Sequence, residues 1–539
     1  MSFCWLHLPF LAMALLFVSE VSFSQARGGL EVLHQRIPKR EVRAAWVVTV
    51  RGTNWPKSFN PEEQKRALLS ILQSMKNANF NTIVLQVRAR GDLIYPSQYE
   101  PWAPPLTGTL GGTPSYDPLR LAIDEAHKLG MEIHAWWNVV KVADGPDRPP
   151  LSVPLHVVNA HRDWVKQWTN RDRNGKPTST EWWLDMGMPE VRAYLVSVAM
   201  EMVRNYDIDG IHFDYIRYPG LEFDDEKTYA RFGNGLPKDE WRRENINKFV
   251  RAIYDSIVMV KPMLKVGSAP IGIYKNLPDA EGWQGYVLLS QDARRWLAEG
   301  KHDYVMPQLY WGLSGNPKFN VLVHDWQENS HGRHVYAGVA AYKPAVLLEV
   351  PALIDTTRKA GALGNCFFTF DDISKKEVIA GRYRYPALIP PMPWKDSIPP
   401  NPPMNLTAVE ENPGRYLLRW ALPLPAVDGD SAKYIAIYRF FDRGVQTDDP
   451  ASLITVVPGK QSAYTDEIMR PTSPRYRYVV TAIDKGNVES APSNEAAVMV
   501  VQLVALSRPF EPTHLLAQNS PNPFSEISFI EYELKARTR

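Results

Sequence analysis

The stretch Tyr206–Pro219, YDIDGIHFDYIRYP, decides the fold. It reads as a helix end, a turn at Asp209-Gly210, and a buried strand from Ile211. One acid, Asp214, two tyrosines and Arg217 are set along and just beyond that strand. A short apolar strand ending in chemically capable side chains is what an α/β barrel places at its mouth. The stretch therefore predicts a barrel organised around Asp214.

Working outward, strands and helices alternate on both sides. RAAWVVTV (43–50), NTIVLQVR (81–88) and EIHAWWNV (132–139) precede the central strand IHFDYIRY (211–218). KVGSAPIG (265–272), YVMPQLYW (304–311), VYAGVAAY (335–342) and NCFFTFDD (365–372) follow it. Helical spacing separates them, as in Ala67, Leu68, Ile71, Leu72 and Met75 after Pro61. Continuous apolar strands suit a parallel sheet covered by helices. Eight such units without a glycine-rich dinucleotide fingerprint predict a (β/α)8 barrel over residues 40–385, not an open doubly wound sheet.

The flanks read differently. Residues 1–24 carry the apolar run LPFLAMALLFV, too short for a membrane span, and predict a signal peptide and export. No later stretch is apolar enough to cross a membrane, and only Cys366 remains after cleavage, so no disulfide is expected. Residues 386–400 are rich in proline and predict a stiff, extended spacer. Short alternating runs over 401–500 predict a small all-β sandwich. Asn405-Leu406-Thr407, Trp420 and Tyr476-Arg477-Tyr478-Val479-Val480 there resemble a fibronectin type III domain, which implies a core role for Trp420. Residues 501–539, with LLAQNSPNPF at 515–524, resemble the opening of a truncated C-terminal sorting domain.

The charge balance is near neutral, with 61 basic and 59 acidic residues, so nothing in it favours nucleic acid as a partner. The 17 Trp and 24 Tyr permit a carbohydrate ligand. No paired histidine spacing, phosphate loop or Ser-His-Asp series appears, and neither metal nor cofactor is expected. The strand ends offer Gln86, Arg88, Asp92, Trp136, Asn138, His212, Arg217, Gln308, Tyr310, Trp311 and Tyr342 as substrate-binding candidates. Glycoside hydrolysis needs two carboxyl groups. One protonates the leaving oxygen and the other attacks the sugar or activates water; Asp214 is the candidate for the attacking or water-activating group, with Arg217 expected to hold its pKa down. The acid partner is open between Asp371, Asp372 and Asp92. Asp185 reads as the cap of the helix from Pro189, and Asp209 and Asp303 as structural. Family-18 chitinases carry DGxDxDxE on their fourth strand. Here His212 replaces an acid and Ile216 stands where the catalytic Glu belongs, which excludes that mechanism.

Taken together, NTIVLQVRARGDLIYPS, YDPLRLAIDEAHKLGMEIHAWWN, LDMGMPEVRAYL, DGIHFDYIRYP, DYVMPQLYW and VYAGVAAYK resemble the glycosyl-hydrolase-like family 10. The resemblance implies a TIM-type barrel in an exported bacterial protein that hydrolyses glycosidic bonds. One branch of that family acts on peptidoglycan glycan strands stripped of their stem peptides. Asp214 falls where the family places its fourth-strand acid. The rival expectation is a non-catalytic surface glycan-binding protein, and a lyase or deacetylase on the same barrel is a third.

Overall fold

The computed structural model describes residues 37–373, 379, 381–441, 444–468 and 475–499, with two backbone pairs, Leu515–Leu516 and Tyr532–Glu533. The expected signal peptide and nearly all of the tail lie outside the described residues.

The barrel strands are β1 (Val42–Val47), β2 (Thr82–Arg88) and β3 (Glu132–Asn138). Next comes an excursion of β4 (Lys141–Asp144), β5 (Val165–Arg171) and β6 (Pro177–Leu184). The barrel resumes with β7 (Gly210–Asp214), β8 (Lys265–Ser268), β9 (Tyr304–Val305), β10 (His334–Val335), β11 (Ala337–Val339) and β12 (Gly364–Phe367). The parallel order is β10-β9-β8-β7-β3-β2-β1-β12-β11. Its two ends, β10 and β11, are halves of one strand interrupted only at Tyr336. The sheet therefore closes on itself, sealed further by a parallel bridge between Gln308 and Gly338. This is the predicted barrel, with its seventh strand split.

Helices begin where the sequence supplies caps. Asn60 accepts from the backbone N–H groups of Glu62 and Glu63 ahead of Pro61–Asn77, and Asp117 accepts from that of Arg120 ahead of Pro118–Lys128. Asp185 is not the cap of Pro189–Asn205; Met188 holds that position. Asp185 is buried three residues earlier, accepting from Gly187 N at 2.9 Å and from the Thr228 hydroxyl. β4, β6 and β5 form a separate antiparallel sheet between β3 and β7, which the eight-unit reading of the sequence did not include.

Alternation along β1 divides two cores. Val42, Ala44 and Trp46 fill the barrel with Val84, Trp136, Tyr304, Met306 and Cys366. Ala45 and Val47 face the sleeve of helices. A polar column runs down the interior. Trp46 Nε1 donates to His212 Nε2 at 3.2 Å. An indole can only donate, so His212 carries its proton on Nδ1 and offers it to the Tyr304 hydroxyl at 3.4 Å. That hydroxyl donates to His134 Nδ1 at 2.7 Å, and His134 Nε2–H donates to Glu132 at 3.2 Å. Burial holds the His212 imidazole well below its usual pKa, so the ring is neutral.

The second domain comprises β13 (Met404–Asn412), β14 (Arg415–Ala421), β15 (Tyr434–Phe440), β16 (Leu453–Pro458), β17 (Ala463–Glu467), β18 (Arg475–Ile483) and β19 (Ala496–Met499). They form two antiparallel sheets, β13-β14-β17 and β16-β15-β18-β19, around a core that includes Leu406, Trp420, Ile435 and Val480.

The proline-rich stretch before it does not stand out as a spacer. Leu388 pairs with the N-terminal strand, accepting from Glu41 N at 2.9 Å. Ile389 and Met392 enter the barrel core, and Trp394 Nε1 donates to Asp303 at 2.8 Å. The apolar residues between the prolines seal the bottom of the barrel. The sandwich docks there as well. Tyr434 donates to Met131 O at 2.8 Å, and Lys433 pairs with Asp209 and, at 3.3 Å, with Glu132. Glu132 also pairs with Lys265.

Gly130 marks the closest approach. Its φ is +67°, and a Cβ there would lie 2.4 Å from the Val456 carbonyl oxygen of the sandwich. Gly130→Ala should lower stability to urea by ~1–3 kcal/mol through backbone strain and that clash together. Unchanged stability would mean that the sandwich can withdraw from the barrel freely.

Candidate active site

Asp214 ends β7 and is partly exposed at the mouth. The strand stops there because Tyr215 turns into the left-handed region at φ 52°. That turn brings Tyr215 N–H back onto Asp214 Oδ1 at 2.7 Å. Gln308 Nε2, from the loop after β9, approaches the same oxygen at 3.4 Å. Among the described residues no cation lies within ion-pair distance of Asp214. Burial raises its carboxyl pKa, and the opposing pull of Tyr215 N–H, Arg217, Arg90 and Trp136 does not reverse this. The expectation that Arg217 sets the pKa low is thus corrected: desolvation outweighs it.

Arg217 instead packs its guanidinium on three rings, Tyr215 at 5.1 Å, Trp183 at 5.2 Å and Trp283 at 4.8 Å. Trp183 arrives on β6, so the antiparallel excursion forms one wall of the mouth. Its Lys141 pairs with Asp144 at 3.0 Å and with Glu181 at 2.5 Å, and Arg90 pairs with Asp144 at 3.0 Å. Burial would raise the Asp144 carboxyl, but Arg90 and Lys141 bring it below its usual range.

The opposite wall is aromatic. Tyr310 lies 5.9 Å from Phe368 and 6.3 Å from Tyr342, which is exposed at the rim. Lys343 lies over the ring of Trp311 and donates to Tyr310 O at 2.8 Å. Trp136 is buried just below the site, its Nε1–H without a hydrogen-bond partner among the described residues.

Other sequence candidates are buried in structural roles. A bulge between Gln86 and Arg88 turns Arg88 away from the interior. It stacks on Trp137 and forms a fully buried pair with Glu100. Gln86 accepts from the backbone of Thr49 and Val50 at 3.0 and 2.9 Å, fixing the loop after β1. Asn138 donates to Ala89 O at 2.9 Å. Asp92 is buried and accepts from Arg90 N at 2.9 Å. His212 belongs to the interior column and does not reach the mouth.

Asp371 is on the rim, its Oδ2 2.8 Å from Lys57 Nζ. Asp372 accepts from Thr369 N and its hydroxyl. Sequence reading missed Arg90, Tyr215, Trp183, Trp283 and Phe368. An Asn174-Gly175 turn between two mixed runs is the signal that could have disclosed the hairpin bringing Trp183.

Comparison with known proteins gives a consistent picture. A family model described as Glycosyl hydrolase-like 10 matches residues 41–350. Glycosyl hydrolase YngK of Bacillus subtilis (strain 168) is 31% identical over 488 residues, 84% of this chain and 92% of that protein. Glycosyl hydrolase DigH of Escherichia coli (strain K12) is 32% identical over 332 residues, 56% of this chain and 73% of that one. Among solved structures, the glycoside hydrolase domain of PgaB (BpsB) from Bordetella bronchiseptica aligns with a TM-score of 0.47 at 16% identity. That alignment covers 64% of this chain and 98% of that domain.

Proposed function

The chain belongs to the glycosyl hydrolase-like 10 family, and from that premise we propose that it is an exported glycosidase acting on a polysaccharide, peptide-free peptidoglycan glycan foremost. Asp214 is the general acid that protonates the leaving glycosidic oxygen. One observation carries this reading: Asp214 makes no ion pair among the described residues, and burial raises its pKa. A raised pKa favours the protonated form that a general acid must hold and release to a substrate. Asp144 is tied to cations and kept ionised, so it is unsuited to donate a proton.

The second carboxyl has two claimants on the rim, Asp371 and Asp144. Asparagine replacements at each, assayed with azide as an external nucleophile, separate them. The variant that loses turnover and regains it with azide has lost the attacking or base group.

The exposed rings of Trp283 and Tyr342 lie on loops at the mouth and offer flat faces to sugar rings. Trp283→Ala should raise KM about tenfold, equivalent to ~1.4 kcal/mol, with little change in kcat. A drop confined to kcat would place Trp283 in the chemistry instead.

The reading as a whole is tested by incubating the purified chain with peptide-free peptidoglycan glycan and a panel of other polysaccharides. Release of new reducing ends supports it. Oligosaccharide binding without any turnover would establish the glycan-binding alternative.

A further inference from the structure

Beneath the barrel, three segments of chain bring carboxylates to one place. Asp396 follows the proline-rich stretch, Asp428 and Asp430 lie in the loop between β14 and β15, and Asp484 directly follows β18. One carboxylate oxygen each from Asp396, Asp428 and Asp430 lie within 4.8 Å of one another. Asp484 has no solvent exposure. Its Oδ1 accepts from Val488 N at 2.9 Å, but its Oδ2 is buried without a partner among the described residues. Asp396 repeats the pattern: Oδ1 accepts from Ile398 N at 2.9 Å, and Oδ2 is buried and unpartnered. Gly486 permits this closeness, since a Cβ there would lie 2.9 Å from Asp396 Cβ and 3.3 Å from Asp484 Oδ1.

The cations nearby face elsewhere. Lys395 pairs with Asp303 at 3.0 Å and donates to Pro262 O and Leu264 O. Lys485 pulls weakly on Asp430, but its ammonium lies 3.4 Å from Asp207. No ion pair reaches any of the four aspartates among the described residues. Burial, with repulsion from Asp396 and Asp430, pushes Asp484 up to about 7. Burial and then Asp428 and Asp396 raise Asp430.

Two orphaned carboxylate oxygens from different segments, beside two further aspartates, need a positive partner. The donors are all oxygen, with no His or Cys, which suits a hard cation. Magnesium prefers to keep several waters, whereas calcium accepts a cage of carboxylates drawn from flexible loops. We propose that Asp396, Asp428 and Asp430 form a calcium site, with the buried Asp484 carboxylate beside it adding negative charge, that pins the proline-rich stretch to the sandwich and so fixes the sandwich beneath the barrel. Asp428 is exposed and gives the ion its path from solvent.

The test uses the full chain, stripped with a chelator, above neutral pH where Asp484 is ionised. Calcium should bind by calorimetry and raise the melting temperature by a few degrees, with magnesium giving much less. Asp396→Ala should abolish the thermal response, and Asp484→Asn should reduce it. Asp428→Asn, at an exposed position that folding tolerates, should weaken calcium affinity about tenfold or more. The proposal is overturned if calcium neither binds nor stabilises the chain, or if Asp428→Asn binds it as tightly as the parent.

Discussion

Asp214→Asn should lower kcat by about 10²–10⁴-fold while leaving KM and melting temperature close to those of the parent. The substitution is nearly isosteric. The amide oxygen still accepts from Tyr215 N–H and faces Gln308 Nε2, the contacts that position Asp214 Oδ1. What disappears is the proton. The loss should therefore appear in the chemical step and not in binding, which steady-state kinetics on a defined oligosaccharide resolves.

The pH profile of the parent checks the same role from another side. A general acid works while protonated, so kcat/KM falls as pH rises through its pKa. Burial raises that pKa in Asp214, so the alkaline limb should lie above the usual aspartate range. An alkaline limb inside the usual aspartate range, or an Asp214→Asn enzyme with parental kcat, would remove Asp214 from the mechanism.

Lys433→Met should cost about 3–5 kcal/mol of stability, the largest effect expected of any single change outside the barrel cores. Lys433 is a sandwich residue, yet its ammonium pairs with Asp209 and Glu132 at the bottom of the barrel. Methionine fills similar space and leaves two buried carboxylates with Lys265, His127 and His134 as their remaining partners. Burial would raise both carboxyls, but Lys433 and His127 hold Asp209 low, and Lys265 and Lys433 hold Glu132 low.

The sign of the pH dependence follows. Carboxyls depressed in the folded state contribute stability that is complete above their unfolded values of about 4. That contribution is lost as pH falls through the lower folded values. The variant should show a smaller loss on acidification than the parent. Denaturant unfolding across pH measures both effects, and a loss under 1 kcal/mol would mean that water already reaches this junction.

The barrel was legible because its strands are unbroken apolar runs, and Asp214 was legible because it ends one of them. What escaped has physical causes. Strand-end parity put Arg88 in the mouth, but the bulge after Gln86 turned it to Glu100. Proline content predicted an extended spacer, but Ile389, Met392 and Trp394 among those prolines had an apolar opening to fill. β5 and β6 carry the polar residues Lys166, Gln167, Thr169, Thr178 and Thr180 at exposed or half-buried positions, so no hydrophobic period announced them. Tyr215 could not be read at all, since its left-handed backbone is imposed by the surrounding loops.

The interior column has one further consequence. It starts at the donor Trp46 and ends at the acceptor Glu132, whose charge is answered by Lys433 from the other domain. A foreign module grafted after residue 400 would have to bring a cation to that same point, or leave the barrel's floor charged and bare. Cassette exchange at this junction should yield few folded chimaeras, however compatible the two parts look when each is drawn alone.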